Sequence, residues 1–405
     1  MGSTSIKEWL FAFKIWFFRE RVDDENIIKE YEQDFANYSG VSHGVSFGSG
    51  RMALYAILEA LGIGEGDEVI MTGFTCIVVP NALIYRHIRP IYADVSLSDF
   101  NIDVDKIEGL ITSRTRAVYA QHTFGVPCDI ERIRLIAEKY DLKVIEDCAH
   151  ALGGNIDGSM IGSCSDVAFF STDHSKIIST YLGGIATTND DEIADKLKKV
   201  QMASPFLPRK DVFKILRSFL LEWLYFSPYL LWIGLLIHKV LIKLNILYSF
   251  HDELKIIKPL DYPYPCRLSS QQALIGINQL ARLKDNVSHR RSLAGWFEKN
   301  LGWYDYDTDK MAQISWIRYS FLVEDRDAFI AAFKGRFDLG IWFTSPFGGR
   351  EYGFHEIGYE DGQCPNAEFV AKHIVNFPTH QRLPLLFVKK HVGKKLSWIR
   401  EQLIR

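Results

Sequence analysis

The stretch from Val167 to Thr188, VAFFSTDHSKIISTYLGGIATT, decides how the rest of the chain is interpreted. An apolar run typical of a buried strand ends at Ser171, and a polar turn then presents one lysine, Lys176. Upstream, KVIEDCAHALGG places Asp147 at the end of another apolar run. A lysine on a turn beside an acid that ends a strand indicates Schiff-base chemistry, in which the acid keeps a pyridinium nitrogen protonated. On these residues alone, a solvated lysine and an ordinary strand-end acid stay equally open.

The composition of the 405-residue chain is that of a globular enzyme, with 47% hydrophobic and 24% charged residues. Its length suits two domains, or one large α/β domain with a smaller partner. A net charge of −3 argues against a nucleic-acid-binding protein. The six cysteines lack CxxC spacing, which predicts reduced thiols in the cytoplasm and neither a disulfide framework nor a bound metal. We expect no secretory signal peptide, because charged and aromatic residues interrupt the apolar N-terminal stretch.

A glycine turn precedes the helix that is predicted within FGSGRMALYAILEALG, Phe47 to Gly62. The apolar residues after the turn recur at helical spacing, so Ser49, Gly50 and Arg51 fall at the helix N-terminus. Free backbone N–H groups and the helix dipole favour a phosphate there, and Arg51 adds a positive charge. Many helices begin with such a turn, so this motif gains meaning only from its neighbours.

Strand-like and helical segments alternate from Asp67 to Cys148, which predicts βαβ units and a mostly parallel sheet. Ligands of such sheets bind at the carboxyl ends of the strands. The groups expected at that edge are Gly73–Cys76, His122, Asp147 and Ser171. Polar groups that come from several separate strand ends indicate a binding site more strongly than any single motif.

A set of motifs occurs in one order and with familiar spacing: SGRMAL, TGFTCIVVPNAL, EDCAHALGG, FSTDHSK, GGIATTND, RLSSQQALIGINQLARL and CPNAEFVAKHIVNFPTH. In this combination the chain resembles the DegT/DnrJ/EryC1/StrS family of sugar aminotransferases, from about Glu30 to the C-terminus with one interruption. The resemblance implies pyridoxal 5'-phosphate (PLP) as the cofactor and fold type I of the PLP-dependent transferases. This is an α/β fold with a mostly parallel central sheet in a large domain and a smaller α+β C-terminal domain.

The resemblance also implies roles for individual residues. Lys176 would hold PLP as an internal aldimine and later move a proton between the substrate carbon and the cofactor. Asp147 would pair with the pyridine nitrogen, which keeps the ring an electron sink. His150, three residues after Asp147, would lie near the phenolic oxygen of the ring.

The phosphate of the cofactor would be bound by Ser171 together with the backbone at Gly50 and Arg51, as the resemblance implies. The sequence departs from the family pattern at some positions. These are Arg51 in place of threonine, Cys76 where an aromatic residue or histidine stacks on the ring, Asp173 in place of histidine, and Pro265 in place of an asparagine. Cys76 is therefore included among the cofactor-binding residues without a stacking partner of the usual kind.

The expected organisation has three parts: an N-terminal amphipathic helix (1–29), a large PLP-binding α/β domain (30–260) and a small C-terminal α+β domain (261–405). In the first part, Ile6 to Arg21 has the pattern of a helix with aromatic residues and a basic stripe. Such a helix either lies in a membrane interface or packs on the protein or a partner subunit. In the last part, the loop from Phe343 to Gly349 is expected to meet the substrate.

Residues 212–250 interrupt the large domain with an apolar segment where family members have a shorter, more polar connection. A single membrane crossing would separate Lys176 from the small domain, so we expect a re-entrant or interfacial hairpin bent at Pro228. The flanking basic residues expected to reach lipid headgroups are Lys214, Arg217, Lys239 and Lys243. The alternative is a buried insertion that enlarges a dimer interface.

The leading hypothesis is a PLP-dependent aminotransferase that moves an amino group, usually from L-glutamate in this family, onto a nucleotide- or lipid-linked keto-sugar. The product would enter cell-surface polysaccharide, glycolipid or related amino-sugar biosynthesis. We expect a homodimer with active sites at the subunit interface, peripheral or monotopic at the inner face of the cytoplasmic membrane, with no nucleic-acid partner. The alternatives are a PLP-dependent sugar dehydratase, whose relatives carry histidine in place of the lysine, and a non-catalytic membrane-associated regulator with the same fold.

Overall fold

The computed structural model describes residues 4–18, 23–226, 231–248, 254–260, 263–334, 337, 339 and 341–404. The strands are β1 (His43–Phe47), β2 (Glu68–Thr72), β3 (Thr75–Cys76), β4 (Arg89–Ala93), β5 (Thr115–Gln121), β6 (Lys143–Asp147), β7 (Asn155–Ile156), β8 (Ser159–Met160), β9 (Val167–Ser171), β10 (Gly184–Thr188), β11 (Arg318–Leu322), β12 (Phe347–Gly348) and β13 (Ile374–Pro378). The helices are α1 (Ile6–Phe18), α2 (Glu25–Ser39), α3 (Gly50–Ala60), α4 (Val78–Ile84), α5 (Ile130–Lys139), α6 (Asp191–Ala203), α7 (Arg209–Tyr225), α8 (Leu231–Lys243), α9 (Ser270–Leu280), α10 (Leu283–Leu301), α11 (Thr308–Gln313), α12 (Arg326–Phe333), α13 (Pro365–His373), α14 (Leu385–His391) and α15 (Leu396–Gln402).

The central sheet has the strand order β1-β10-β9-β6-β5-β2-β4. The pairs β9–β6, β6–β5, β5–β2 and β2–β4 are parallel, while β10 is antiparallel to both of its neighbours. The parallel strands are buried on both faces and read as nearly continuous apolar runs, as parallel sheets require. The predicted mostly parallel α/β sheet is confirmed.

Local sequence signals fix where the helices around this sheet begin. Ser49 caps α3, because its Oγ accepts a hydrogen bond of 3.3 Å from the backbone N–H of Met52. The helix α2 begins at Glu25, because the side chain of Asp24 caps it by accepting a hydrogen bond from the backbone N–H of Asn26 (3.1 Å). The cap at α3 matters for the site, since it sets a helix N-terminus directly after β1.

The C-terminal part of the chain builds a second hydrophobic cluster around a small antiparallel sheet. β11 pairs with β13 in a register from Arg318 opposite Pro378 to Leu322 opposite Ile374. The cluster is rich in aromatic rings: Phe297, Trp316, Tyr319, Phe321, Phe329, Phe333 and Phe377. This arrangement is that of a smaller α+β unit, while the residue boundaries of the domains stay predictions.

The N-terminal helix α1 packs on α7 of the apolar insertion. The indole Nε1 of Trp9 donates to the carbonyl oxygen of Leu220 (3.0 Å), and that of Trp223 donates to the carbonyl oxygen of Thr4 (2.9 Å). The predicted end of the first helix, Arg21, lies outside the described residues. Within the described part, α1 and the insertion are therefore held together by specific hydrogen bonds.

The helices α7 and α8 form an antiparallel hairpin within the insertion. Lys214 donates through Nζ to Oδ1 of Asn245 (2.6 Å), and Arg217 donates through Nη2 to the carbonyl oxygen of Ile246 (2.6 Å). Lys214 and Arg217, two of the basic residues predicted to reach headgroups, thus form hydrogen bonds at the end of the hairpin, and their contact with lipid stays a prediction. The predicted bend at Pro228 lies outside the described residues. Among the helices that are described, none combines the length and the apolar character that a membrane span requires.

Candidate active site

A cavity of about 170 Å³ lies at the carboxyl ends of the parallel strands, next to the N-terminus of α3. The residues that the sequence analysis assigned to the catalytic and cofactor-binding site all line this one cavity: Gly50, Arg51, Cys76, Asp147, His150, Ser171 and Lys176. They come from separate strand ends and from the start of a helix, and the fold alone brings them together. This edge of the sheet is where ligands of open α/β sheets bind.

Asp147 lies at the end of β6 and is held rigidly at the floor of the cavity. Its Oδ1 accepts a hydrogen bond of 2.8 Å from the backbone N–H of Ala149, and its Oδ2 accepts one from the hydroxyl of Tyr119. Burial raises the pKa of the Asp147 carboxyl, although Tyr119, Ala149 and the Lys176 ammonium oppose that rise. A buried carboxylate of this kind gains free energy from a cationic partner in the cavity.

Lys176 projects from the turn after β9, and its Nζ lies 5.5 Å from the centroid of the Trp342 ring. Burial lowers the pKa of the Lys176 ammonium, and the nearby carboxylates of Asp173 and Asp147 oppose that effect. A lowered pKa increases the fraction of neutral amine at neutral pH, which is the nucleophilic form.

The turn that carries Lys176 is fixed by a close ion pair. Nδ1 of His174 lies 2.6 Å from Oδ1 of Asp173, and the backbone N–H of Lys176 donates to the carbonyl oxygen of Asp173 (3.0 Å). Burial would raise the pKa of the Asp173 carboxyl, but the cations of His174, Arg51 and Lys176 hold that pKa well below its usual range. Asp173 therefore stays ionised beside the lysine.

His150 stands on the side of the cavity nearest the aromatic rings of Phe124 and Trp342. Its ring centroid lies 5.1 Å from that of Trp342, and its Nδ1 accepts a hydrogen bond of 3.3 Å from the backbone N–H of Phe124. Burial lowers the pKa of His150 well below its ordinary value, and Lys176 and Arg318 add to this. The ring is therefore neutral, and because Nδ1 is an acceptor, Nε2 carries the proton.

The start of α3 approaches Ser171 so closely that only glycine fits at two positions. A Cβ added to Gly50 would lie 2.8 Å from Cβ of Ser171, and one added to Gly184 would lie 2.4 Å from the backbone nitrogen of Gly50. The hydroxyl of Ser171 thus stands beside the first N–H groups of the helix, with Arg51 on the same wall of the cavity. Helix N–H groups, a hydroxyl and a guanidinium form a cradle for an anion.

The sequence model of the DegT/DnrJ/EryC1/StrS aminotransferase family matches residues 20–211 and 251–394. The chain belongs to this family. The match stops at residue 211 and resumes at 251, so it leaves out the apolar insertion of 212–250. The family resemblance inferred from the motifs is confirmed.

Individual relatives and a solved structure agree with that assignment. GDP-perosamine synthase of Caulobacter vibrioides is 33% identical over 274 residues, which cover 68% of the chain but only 62% of the relative. The spore coat polysaccharide biosynthesis protein SpsC of Bacillus subtilis is 28% identical over 365 residues, covering 87% of the chain and 84% of the relative. The structure of NtdA from Bacillus subtilis with the bound cofactor PMP superposes with a TM-score of 0.71 at 21% identity, covering 98% of the chain and 82% of NtdA. This likeness confirms the predicted fold class.

The cofactor of the DegT/DnrJ/EryC1/StrS aminotransferases is PLP, and the cavity has the groups that fit it. The glycine cradle at the start of α3 suits a phosphate, a buried carboxylate faces the cavity from β6, and an amine stands on the turn after β9. Cys76 lines the cavity and offers a thiol in place of an aromatic ring. Burial raises the pKa of this thiol. The ring of Phe343, from the small-domain loop, lines the same cavity.

The loop predicted to meet the substrate is joined directly to the large domain. Its residues Phe347 and Gly348 form β12, which pairs in parallel with Thr75 and Cys76 of β3. The ring of Phe343 meets that of Phe74 edge to face, with the centroids 5.1 Å apart. This family member therefore uses the loop as a wall of the cavity.

Sequence reasoning missed Gln121 and expected His122 in its place. Gln121 lines the cavity, where its Oε1 accepts from the hydroxyl of Thr75 (2.6 Å) and its Nε2 donates to the carbonyl oxygen of Phe74 (3.0 Å). His122 points away from it, with Nε2 2.9 Å from Oε1 of Glu146. The sequence signal for this difference is the alternation of side chains along a strand, because neighbouring residues such as Gln121 and His122 point to opposite faces.

The buried His122 could be mistaken for part of a metal site, since Glu146 and Cys148 lie within 4.8 Å of it. The carboxylate of Glu146 also accepts from the backbone N–H of Gly162 (2.7 Å) and from the hydroxyl of Ser165 (2.8 Å). These bonds already satisfy the buried acid, so the group has the character of a structural network that supports β6.

Proposed function

We propose that this protein is a PLP-dependent aminotransferase that moves an amino group from L-glutamate onto a keto-sugar. The observation that carries the proposal is the convergence of Lys176, Asp147 and the glycine cradle at Gly50 on one cavity. The same observation argues against a non-catalytic regulator, because Lys176, Asp147, His150 and Ser171 are all present and line one cavity.

The residues around the phosphate cradle bind and orient the cofactor. Ser171, the first backbone N–H groups of α3 and the guanidinium of Arg51 would hold the phosphate. The carboxylate of Asp147, fixed by Tyr119, would stabilise a proton on the ring nitrogen. Nε2–H of His150 is the hydrogen-bond donor that would serve the phenolic oxygen. When bound, PLP supplies an electron sink that stabilises negative charge on the reacting carbon.

Lys176 is the residue that binds the cofactor covalently and moves the proton. Its amine, with a pKa lowered by burial, would form the covalent bond to the cofactor aldehyde, whose oxygen would leave as water. When not bonded to the cofactor, Nζ of Lys176 would serve as the general base and acid that moves a proton at the reacting carbon.

The proposed acceptor is a keto-sugar carried on a nucleotide or a lipid, and the product is an amino sugar for cell-surface polysaccharide or glycolipid. Support comes from the names of the relatives, which include a GDP-perosamine synthase and a spore coat polysaccharide biosynthesis protein. The cavity wall formed by Phe343 and the β12–β3 pair is the surface that this sugar would contact.

We also propose a homodimer in the cytoplasm, peripheral or monotopic at the inner face of the cytoplasmic membrane. The family resemblance supports the dimer. The aromatic and basic first helix and the insertion 212–250, which the family match leaves out, support the membrane location.

The experiment is a transamination assay with L-glutamate and a panel of nucleotide-linked keto-sugars, with 2-oxoglutarate as the readout. The wild type is expected to form 2-oxoglutarate with at least one sugar, and Lys176→Ala to form none. Lys196→Ala is the matched control, because Lys196 pairs with Glu192 on the surface of α6. Appreciable turnover by Lys176→Ala would disprove the proposal.

A further inference from the structure

The helix α1 is oriented with its apolar stripe toward solvent. Its buried residues are Glu8, Ala12 and Ile15. Its exposed side chains include five large apolar ones, with Phe17 at 62%: Ile6, Leu10, Phe13, Phe17 and Phe18. A surface helix of a globular protein normally has a polar outer face, whereas α1 is apolar on its outer face as well as on the face that packs on the core.

The buried face of α1 explains why the helix keeps this orientation. Glu8 lies against Arg282, with Oε1 3.6 Å from Nη1, and its Oε2 bonds the backbone N–H of Ser5 (2.5 Å). Together with the Trp9–Leu220 hydrogen bond and the burial of Ala12 and Ile15, these contacts fix the opposite side of the helix on the protein. The orientation of α1, and with it the exposure of the apolar stripe, is therefore set by specific contacts of the fold.

The helix α8 presents a second outward apolar stripe. Gly234 is its buried residue among those described, and its close contact with Tyr225 seats the helix on α7. Trp232 is 61% exposed, and the other large exposed apolar residues of this segment are Leu235, Leu236, Ile237, Val240 and Leu244. Patches of this kind on a globular protein mark a surface that another molecule covers.

Both stripes carry exposed lysines and no exposed acid among the residues described. The lysines are Lys7 and Lys14 on α1, and Lys239 and Lys243 on α8. The acid of α1, Glu8, is buried. We name the two stripes together with these lysines the outer apolar surface.

We propose that the outer apolar surface docks on a bilayer that contains anionic lipids, with the apolar side chains in the interface and the lysines at the headgroups. This rests on the membrane location proposed above and names the surface and the lipid charge that it requires. Aromatic and aliphatic side chains beside lysines are the pattern of interfacial helices.

A second copy of the chain is a poorer occupant on grounds of charge. An isologous contact would bring the same lysines of both subunits together, with no exposed acid on either stripe to pair with them. An anionic bilayer supplies the opposite charge at the same place.

The test is co-sedimentation of the full-length protein with vesicles of phosphatidylcholine and phosphatidylglycerol, compared with vesicles of phosphatidylcholine alone. We expect binding to the anionic vesicles that weakens as salt is raised, and little binding to the neutral ones. The double variant Phe17→Glu, Leu236→Glu is expected to bind at least about tenfold more weakly, because two apolar side chains no longer enter the interface.

The matched control is Leu135→Glu, Met202→Glu, which replaces two exposed apolar residues of α5 and α6 (61% and 64% exposed) and is expected to bind like the wild type. Circular dichroism checks that both variants fold, and transamination without vesicles reports on the proposed chemistry independently. Equal binding to both vesicles, or none to either, would overturn the proposal. So would a wild-type oligomer that Phe17→Glu, Leu236→Glu dissociates, since the surface would then join two copies.

Discussion

The hydroxyl of Tyr119 donates a hydrogen bond to Oδ2 of Asp147 at the floor of the cavity. Burial and the Asp147 carboxylate raise the pKa of Tyr119 well above its ordinary value, so this hydroxyl keeps its proton and acts as the donor. Tyr119 thereby stabilises the ionised form of the acid that is proposed to face the cofactor nitrogen. A buried carboxylate without this bond would hold a proton at higher pH.

Tyr119→Phe is predicted to weaken PLP binding by about tenfold, because a hydrogen bond to a charged group contributes about 1.5–3 kcal/mol. The expected pH dependence of PLP binding follows from the ionisation of Asp147. The ionised form of Asp147 is lost as pH falls through its raised pKa, and the loss of the Tyr119 hydroxyl raises that pKa further. PLP retention should therefore fail at a higher pH in the variant. Fluorescence titration of the apoprotein with PLP across pH measures this.

The control for that variant is Tyr92→Phe, which removes a buried hydroxyl that donates to the carbonyl oxygen of Ile357 (2.9 Å). We expect Tyr92→Phe to lower the free energy of unfolding by about 1 kcal/mol. It should leave the pH dependence of PLP binding unchanged. Equal pH profiles for Tyr119→Phe and the wild type would show that the tyrosine has no influence on the acid.

Asp173→Asn is predicted to lower the pKa of Lys176, because the Asp173 carboxylate is the leading influence that raises it against burial. The pH midpoint for reaction of the apoprotein with PLP should therefore move down. Stopped-flow absorbance at a series of pH values gives the midpoint. Asp166→Asn serves as the control, since Asp166 bonds Lys143 and the N–H of Val144 instead. A midpoint that moves up would contradict the assignment.

Gly184→Ala is predicted to damage the phosphate cradle, since the new Cβ would lie 2.4 Å from backbone atoms of Ser49 and Gly50. The start of α3 must shift, and the affinity for PLP should fall by about tenfold or more, because several charge-assisted bonds lose their geometry. Gly64→Ala introduces the same methyl group into open space and should leave the affinity unchanged. Matching affinities in the two variants would rule out a cradle at this position.

The insertion also reaches the turn that carries Lys176. The hydroxyl of Tyr181 donates to Oε1 of Glu222 on α7 (3.2 Å), and the ring of Tyr181 lies 5.8 Å from that of His174. Burial acts to lower the pKa of His174, but Asp173 and, to a smaller extent, Glu222 raise it above its ordinary value. His174 therefore stays charged to higher pH than a free histidine.

Glu222→Gln is predicted to lower the pKa of His174, so its cation should be lost at a lower pH than in the wild type. The NMR titration of the His174 ring measures this directly. The stability that the His174–Asp173 pair contributes is present while His174 is charged and is lost as pH rises through the pKa of His174 in the folded protein. Glu222→Gln should therefore lose this stability at a lower pH than the wild type. Glu32→Gln, a buried acid bonded to Ser46, should not move the titration.

The difference between Gln121 and His122 shows what the sequence could and could not predict. The strand ends and the glycine turn were recognised because they are local patterns, and Asp147, Ser171 and Lys176 all reach the cavity as expected. Which of two adjacent residues faces the cavity depends on the exact register of β5 in the sheet, which alternation alone does not fix.

The remaining gaps have the same physical origin, since they depend on contacts between distant segments. Tyr119 lies inside β5, and nothing in its own neighbourhood indicates a bond to Asp147, a residue 28 positions away. The hydrogen bonds that Lys214 and Arg217 form with Asn245 and Ile246 likewise join segments that are far apart in the sequence.

The visible absorption of the purified protein, before and after addition of L-glutamate, tests the central claim most directly when it is followed by borohydride reduction and peptide mapping. We predict a yellow protein whose band bleaches with L-glutamate, and a cofactor fixed by reduction on Lys176. A protein that stays colourless after incubation with PLP, or a cofactor fixed on another lysine, would contradict the account.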